Sequence, residues 1–266
     1  MKALLIAVTL LAPAWAGDAP TPQLSCQRPG LYVSGLTTVC EMVEIPAAFS
    51  GSLNVATPVG GISVVGWDQP DVLIRAKKEA AARGQAAAEN LSSQIQINVA
   101  GGMVSADGPA PQSGWDWVVT FEIFVPRATD LSLNTKVGGV SITDVKGTIR
   151  FNVSTGGVSL VRLAGDVQGS TKVGGLYIVL DGDHWDGQTL AVNTKVGGIV
   201  YRVPAGYSAH FSLSTALGKI DASYLGAFPA PSSTFSLGSN LTFDAGSGGA
   251  TIASETNVGG IVIQKI

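Results

Sequence analysis

The sequence predicts an all-β fold, a single-domain β-solenoid of glycine-centred strand-turn-strand coils with one short capping helix. Three observations lead there. The pattern Thr-x-Val-Gly-Gly recurs at Thr57 to Gly61, Thr135 to Gly139, Thr171 to Gly175, Thr194 to Gly198 and Thr256 to Gly260. Apolar residues two apart, which share one face of a strand, flank these glycines: Leu131 and Leu133 before one pair, Val140 and Ile142 after it. From Gly138 through Gly156, Gly174 and Gly197 to Gly218 the steps are 18, 18, 23 and 21 residues, the length of one coil. A half-buried strand pair cannot hide its apolar face alone, but stacking such pairs ~4.8 Å apart builds a continuous core. A sandwich of hairpins would use the same alternation; the near-constant period favours the solenoid.

The elements follow in order. Lys2, the apolar run Ala3 to Ala12 and the small residues of Ala14-Trp15-Ala16 read as a signal peptide over residues 1–16, cleaved before Gly17. The run is shorter than the ~20 residues of a membrane span, no later stretch replaces it, and Gly17 stands where a lipid-anchored signal would place cysteine. An exported protein is expected, periplasmic, at the cell surface or secreted, with no membrane span after cleavage. In the segment 17–49 the two cysteines of the chain, Cys26 and Cys40, predict one disulfide. Closing a loop of about 15 residues stabilises by roughly 3 kcal/mol. The solenoid domain is expected over residues 50–266. Within it the Ala-, Lys- and Glu-rich stretch "RAKKEAAARGQAAAENL" predicts a helical insertion at about 76–92 that caps the stack, with Gly84 costing about 1 kcal/mol relative to Ala. "WDWVVTFEIFV" then reads as a long central strand.

Composition narrows function. Charged residues are 13% of the chain and the net charge is −3, which argues against nucleic acid, bound through a basic patch. The paired glycines Gly60-Gly61, Gly138-Gly139, Gly156-Gly157, Gly174-Gly175, Gly197-Gly198 and Gly259-Gly260 are not phosphate loops, because an alternating strand follows each instead of a helix. They read as structural turns that need positive φ or close backbone approach, with the preceding Thr and Asn satisfying the turn's backbone groups.

Other constellations are sparse. Asp181, Asp183 and Asp186 form an acidic cluster that is a weak candidate for calcium, but Trp185 occupies the fifth position of an EF-hand-like spacing, and a lengthened polar turn explains the cluster without a ligand. His184 and His210 lie in no metalloprotease-like spacing. Polysaccharide-cleaving β-helices need carboxylates converging across adjacent coils. Aligned on the glycines, this chain offers the column Lys136, Ser154, Lys172, Lys195, Ala216 and Asn257, with no carboxylates. No catalytic residue and no cofactor are expected. Lys136, Lys172 and Lys195 read either as a stripe for an anionic glycan or lipid head group or as edge lysines that discourage sheet-to-sheet aggregation. Trp115 and Trp117, on one face of their strand, read either as a sugar-stacking platform or as core.

"LNVATPVGGISVVGWDQPDVLIRAKK", a helical insertion, "IQINVAGGMVSAD" and "VTFEIFVPRATDLSLNTKVGGVSI" follow one another in an order that resembles the bacterial putative-adhesin domain, an exported family. Gly66-Trp67-Asp68 and Ile123-Phe124-Val125-Pro126 hold that family's turn and its I-x-V-P strand, and the resemblance covers roughly residues 50–266. It implies surface adhesion and supplies no catalytic residue. The expectation is a non-catalytic envelope or cell-surface scaffold that binds an envelope protein or a surface glycan. The alternatives are a carbohydrate-active β-helix enzyme or glycan-binding protein, and an envelope-stress signalling module.

Overall fold

Period-two alternation dominates the chain, and it is realised as strands paired into two sheets. The structure, a computed structural model, describes residues 24–27, 30–110, 112–227 and 237–266. The expected signal peptide, 1–16, lies outside them. In chain order the elements are β1 (Thr37–Ala47), β2 (Ser52–Val59), β3 (Ile62–Trp67), β4 (Val72–Ala82), α1 (Gln85–Gln94), β5 (Gln96–Ala100), β6 (Met103–Asp107) and β7 (Trp115–Pro126). The glycine units follow as β8 (Asp130–Val137), β9 (Val140–Thr143), β10 (Lys146–Thr155), β11 (Val158–Val161), β12 (Ala164–Val173), β13 (Leu176–Val179), β14 (Thr189–Val196) and β15 (Ile199–Val203). Last come β16 (Ala209–Leu217), β17 (Ile220–Asp221), β18 (Ser239–Ala245), β19 (Thr251–Val258) and β20 (Ile261–Lys265). The protein is thus mostly β, a single domain with one α-helix among the described residues.

The first sheet has ten strands in the order β1-β4-β7-β3-β9-β11-β13-β15-β20-β17, and the second has ten in the order β18-β16-β19-β14-β12-β10-β8-β2-β6-β5. Both are open and mixed. Pairing is antiparallel at β1-β4-β7, β16-β18 and β5-β6 and parallel elsewhere. Each glycine turn carries the chain from the second sheet to the first, so every unit contributes one strand to each. Side chains pointing inward from both sheets form one core, with Leu131, Ile149, Val167 and Leu190 in one column of the second sheet and Val140, Val158, Leu176 and Ile199 in the first. Full burial of such a side chain stabilises by roughly 1.5–3 kcal/mol. The adjoining column, Leu133, Phe151, Gly169 and Val192, is not uniform: a Cβ on Gly169 would lie 2.3 Å from the Phe151 ring, so the small residue makes room for the large one.

From β8 to β15 the units stack in sequence order with unbroken register. The order then breaks, because β19 lies between β14 and β16, and β20 between β15 and β17. The last step of the expected column is corrected accordingly: Asn257 is next to Lys195, and Ala216 lies beyond it. Strand length gives the reason. β17 has two residues, and a unit with so short a second strand can close the end of a sheet but cannot template another full strand.

The helix expected at about 76–92 is confined to Gln85–Gln94, and Ala76 to Ala82 belong to β4. Tertiary pairing overrides alanine's helix propensity here, since β4 has β1 on one side and β7 on the other. The charged residues of this strand find partners: Arg75 with Glu44 and Glu122, Lys77 with Glu79 at 3.3 Å, and Lys78 with Glu41 at 2.8 Å. Glu79 is buried and also accepts hydrogen bonds from the backbone N–H groups of Gly30 (2.6 Å) and Leu31 (3.3 Å). Cys26 and Cys40 form the expected disulfide, with Cα atoms 5.7 Å apart, which ties this N-terminal arm to β1. The helix buries Ala88, Leu91 and Ser92 and packs on β4, β1 and β7.

Candidate functional site

Every unit turns the same corner, and the corner dictates its residues. At Gly138, Gly156, Gly174, Gly197 and Gly259 the backbone has φ of 143° to 155°. A Cβ there would come within 2.0–2.1 Å of the carbonyl oxygen of the first glycine in the neighbouring unit. Conformation and close approach therefore both demand glycine. The second glycine is under less constraint: a Cβ would meet its nearest atom at 3.1 Å on Gly139, 3.2 Å on Gly175 and 3.7 Å on Gly157, and Lys219 occupies the equivalent place after Gly218.

Sheet hydrogen bonding continues straight through the corner. Gly156 N donates to Val173 O and Val158 N to Gly175 O, both at 2.9 Å, and Gly174 and Leu176 repeat the pattern one unit on. The carbonyl of the first glycine falls outside that ladder, and a buried threonine of the next unit donates to it: Thr135 to Gly60 (3.1 Å), Thr171 to Gly156 (3.2 Å), Thr194 to Gly174 (2.9 Å), Thr256 to Gly197 (2.9 Å) and Thr215 to Gly259 (2.8 Å). In these five units threonine thus does satisfy a turn, though of the neighbour and not its own, whereas Thr57 lies within reach of Val59 O in its own turn at 3.1 Å and of Val119 O at 3.2 Å. The asparagines do not share the task, as Asn134 and Asn193 point outward and are exposed. β10 departs from the pattern, with the buried Val153 where threonine stands in its neighbours.

Lys136, Lys172 and Lys195 are exposed on the outer face of the second sheet, as alignment on the glycines predicts. The valine between lysine and glycine was not anticipated as surface, because it shares the parity of the buried threonine. At the corner the chain leaves the sheet plane, and these valines stand half out. Behind the corner, on the first sheet, the second glycines floor an open trough of about 680 Å³ bordered by Ser141, Ser159, Tyr177 and Val200. On the second sheet a polar hollow of about 460 Å³ is lined by Asp107, Asn134, Lys136, Asn152 and Ser154.

The other candidates are taken up by structure. Trp117 is buried and its Nε1 donates to Pro109 O at 2.8 Å, while Trp115 is half-buried against the core. Both indoles pack towards the core from β7. In the acidic loop the buried Trp185 donates to Gly165 O at 2.8 Å and anchors the extra residues of this longer unit. Asp186 pairs with Lys146 at 2.6 Å and Asp183 with His184 at 2.5 Å, and each partner holds its carboxyl below the usual carboxylate range. Asp181, Asp183 and Asp186 do not converge, and among the described residues no group of three or more His, Cys, Asp or Glu could hold a metal ion. Gly66 and Trp67, expected in a turn, belong to β3 and pair with Val125 and Pro126; Trp67 is buried, donates to Asp71 O at 2.9 Å and stacks on Phe124.

No protein-family model matches the chain, and no curated protein is similar to it in sequence. Among solved structures it is similar to a putative cell adhesion protein from Clostridium sporogenes, at 13% identity and a TM-score of 0.43 over 85% of this chain and 100% of that one. A putative adhesin from Bacteroides fragilis is 12% identical with a TM-score of 0.35 over 84% and 97%. A putative adhesin from Parabacteroides distasonis is 9% identical with a TM-score of 0.33 over 85% and 97%.

Proposed function

We propose that this protein is a non-catalytic, exported scaffold of the cell envelope or surface, and that its stacked units act as coils of a β-solenoid that present repeated side chains to a partner. The observation that carries this reading is the register of the second sheet, which aligns Asn134, Asn152, Ser170 and Asn193 on neighbouring strands and turns a short sequence repeat into a polar row. Such an array offers many identical contacts of modest individual strength, the requirement of adhesion to a repetitive surface. The apolar leader at residues 1–16 and the disulfide support an exported address. No helix among the described residues is long and apolar enough to cross a membrane.

Glycan binding is a second reading, favoured by the polar hollow around Asn134, Asn152 and Lys136. Cell fractionation with protease shaving of intact cells, followed by pull-down with the purified chain, tests the main proposal. Recovery in the envelope or extracellular fraction with a captured envelope component is expected; a cytoplasmic chain would sink it.

A further inference from the structure

The corner itself carries a second array. The register places Val59, Val137, Thr155, Val173, Val196, Val258 and Leu217 side by side along one edge of the molecule. The exposures are 50% for Val137, 49% for Val173, 47% for Val196, 44% for Val258 and 44% for Leu217. Thr155 interrupts the aliphatic line beside Val137, and from Val173 through Val196 and Val258 to Leu217 four exposed aliphatic side chains follow one another without a break over about 14 Å. Single exposed aliphatic residues are ordinary, whereas a contiguous line of them marks a surface that meets something apolar.

We propose that this ridge docks the protein onto an anionic lipid surface, the aliphatic side chains entering the boundary of the acyl chains and Lys136, Lys172 and Lys195 meeting phosphate head groups. Charge supports the assignment. Each lysine immediately precedes a ridge valine, and the lysine ion pairs among the described residues are made by Lys77, Lys78 and Lys146, which leaves these three without a carboxylate partner. The line of positive charge runs against the net charge of −3. Two carboxylates lie close to the line, Asp107 across the polar hollow from Lys136 and Glu255 beside Asn193 on the strand next to Lys195.

Backbone chemistry supports it as well. A segment that enters a lipid interface must satisfy its own N–H and C=O groups, since the acyl region offers no partners. Here the ladder runs through the corner, and threonine hydroxyls cap the carbonyls of Gly60, Gly156, Gly174, Gly197 and Gly259 that the ladder omits, Gly138 being the exception because Val153 replaces the threonine. An acidic polysaccharide would use the lysines but leave the aliphatic line exposed, because sugar rings favour aromatic faces and hydrogen bonds. The inference rests on the envelope reading above for its biological setting, although the ridge can be tested without it.

The test is flotation of the purified chain with vesicles of phosphatidylglycerol and phosphatidylethanolamine, compared with vesicles of phosphatidylcholine alone. Binding to the anionic vesicles at least tenfold stronger than to the neutral ones is expected. Lys172→Glu with Lys195→Glu should weaken it at least 20-fold, about fivefold per lysine removed, and Val173→Ser with Val196→Ser about tenfold. Circular dichroism checks that each variant is folded, and Val173→Ala with Val196→Ala replaces the serine pair if that pair fails to fold. These changes leave residues 1–16 untouched, so a loss of binding cannot come from the apolar leader. Absence of binding to any vesicle, or unchanged binding in both sets of variants, would overturn the proposal. So would capture by polygalacturonate that the lysine variants lose and the valine variants keep, which assigns the lysines to a glycan. A cytoplasmic location with vesicle binding intact would refute the envelope reading and leave the ridge standing.

Discussion

A methyl group on Gly174 would sit 2.0 Å from the carbonyl oxygen of Gly156, at a residue whose φ is 152°. One on Gly157 would find its nearest neighbour at 3.7 Å, an ordinary contact. Gly174→Ala is therefore expected to cost about 4 kcal/mol and Gly157→Ala to stay within about 0.5 kcal/mol of wild type, as read from urea midpoints. Equal costs at the two positions would contradict the geometry. The threonine rungs give a paired prediction. Thr194→Val removes the donor to Gly174 O and should cost about 1 kcal/mol, while Val153→Thr supplies the rung missing beneath Gly138 and should stabilise by about as much. A destabilised Val153→Thr protein would mean that the hydroxyl does not reach the carbonyl.

At the scale of elements, the N-terminal arm, β1 and β4 act as one unit. Reducing the Cys26–Cys40 disulfide should lower stability by about 3 kcal/mol and raise hydrogen exchange at Gly30 and Leu31, whose amides donate to Glu79. Glu79→Ala should cost a similar ~3 kcal/mol, because it deletes the acceptor of both amides together with a partner of Lys77. The loop carboxylates behave differently with pH. Asp186 is held low by Lys146, so its contribution is present above the ordinary carboxylate range and disappears as pH falls below it; the measurement is the chemical shift of the Lys146 ammonium group across an acid titration. Periodicity made the glycine units readable, since Thr-x-Val-Gly-Gly is written once per turn. β4 was misread because its residues, Ala76 to Ala82, carry helix propensity, and the neighbours that make them a strand come from Thr37–Ala47 and Trp115–Pro126, distant in sequence. Of the site, the lysine column followed from alignment alone. The exposed valines did not, because alternation assigns them to the interior and only the path of the chain around the corner turns them out.

For the whole molecule, the break in stacking order makes the C-terminal strands interior members of both sheets. A chain ending before Thr251 would leave β14, β15, β16 and β17 without the neighbours that β19 and β20 supply. Such a truncation is expected to abolish cooperative unfolding altogether, whereas loss of an edge pair such as β5-β6 should lower the midpoint and keep the transition sharp; thermal melts followed by circular dichroism distinguish the two. The same arrangement also sets a sequence in time. Synthesis delivers β8 to β15 in the order in which they stack, but the slot beside β14 and β15 is filled by β19 and β20, which are made after β16, β17 and β18. Until then two strand edges stay open to chaperones and proteases. A chain released before Thr251 keeps them open, so a segment distant in sequence decides when the middle of each sheet is sealed.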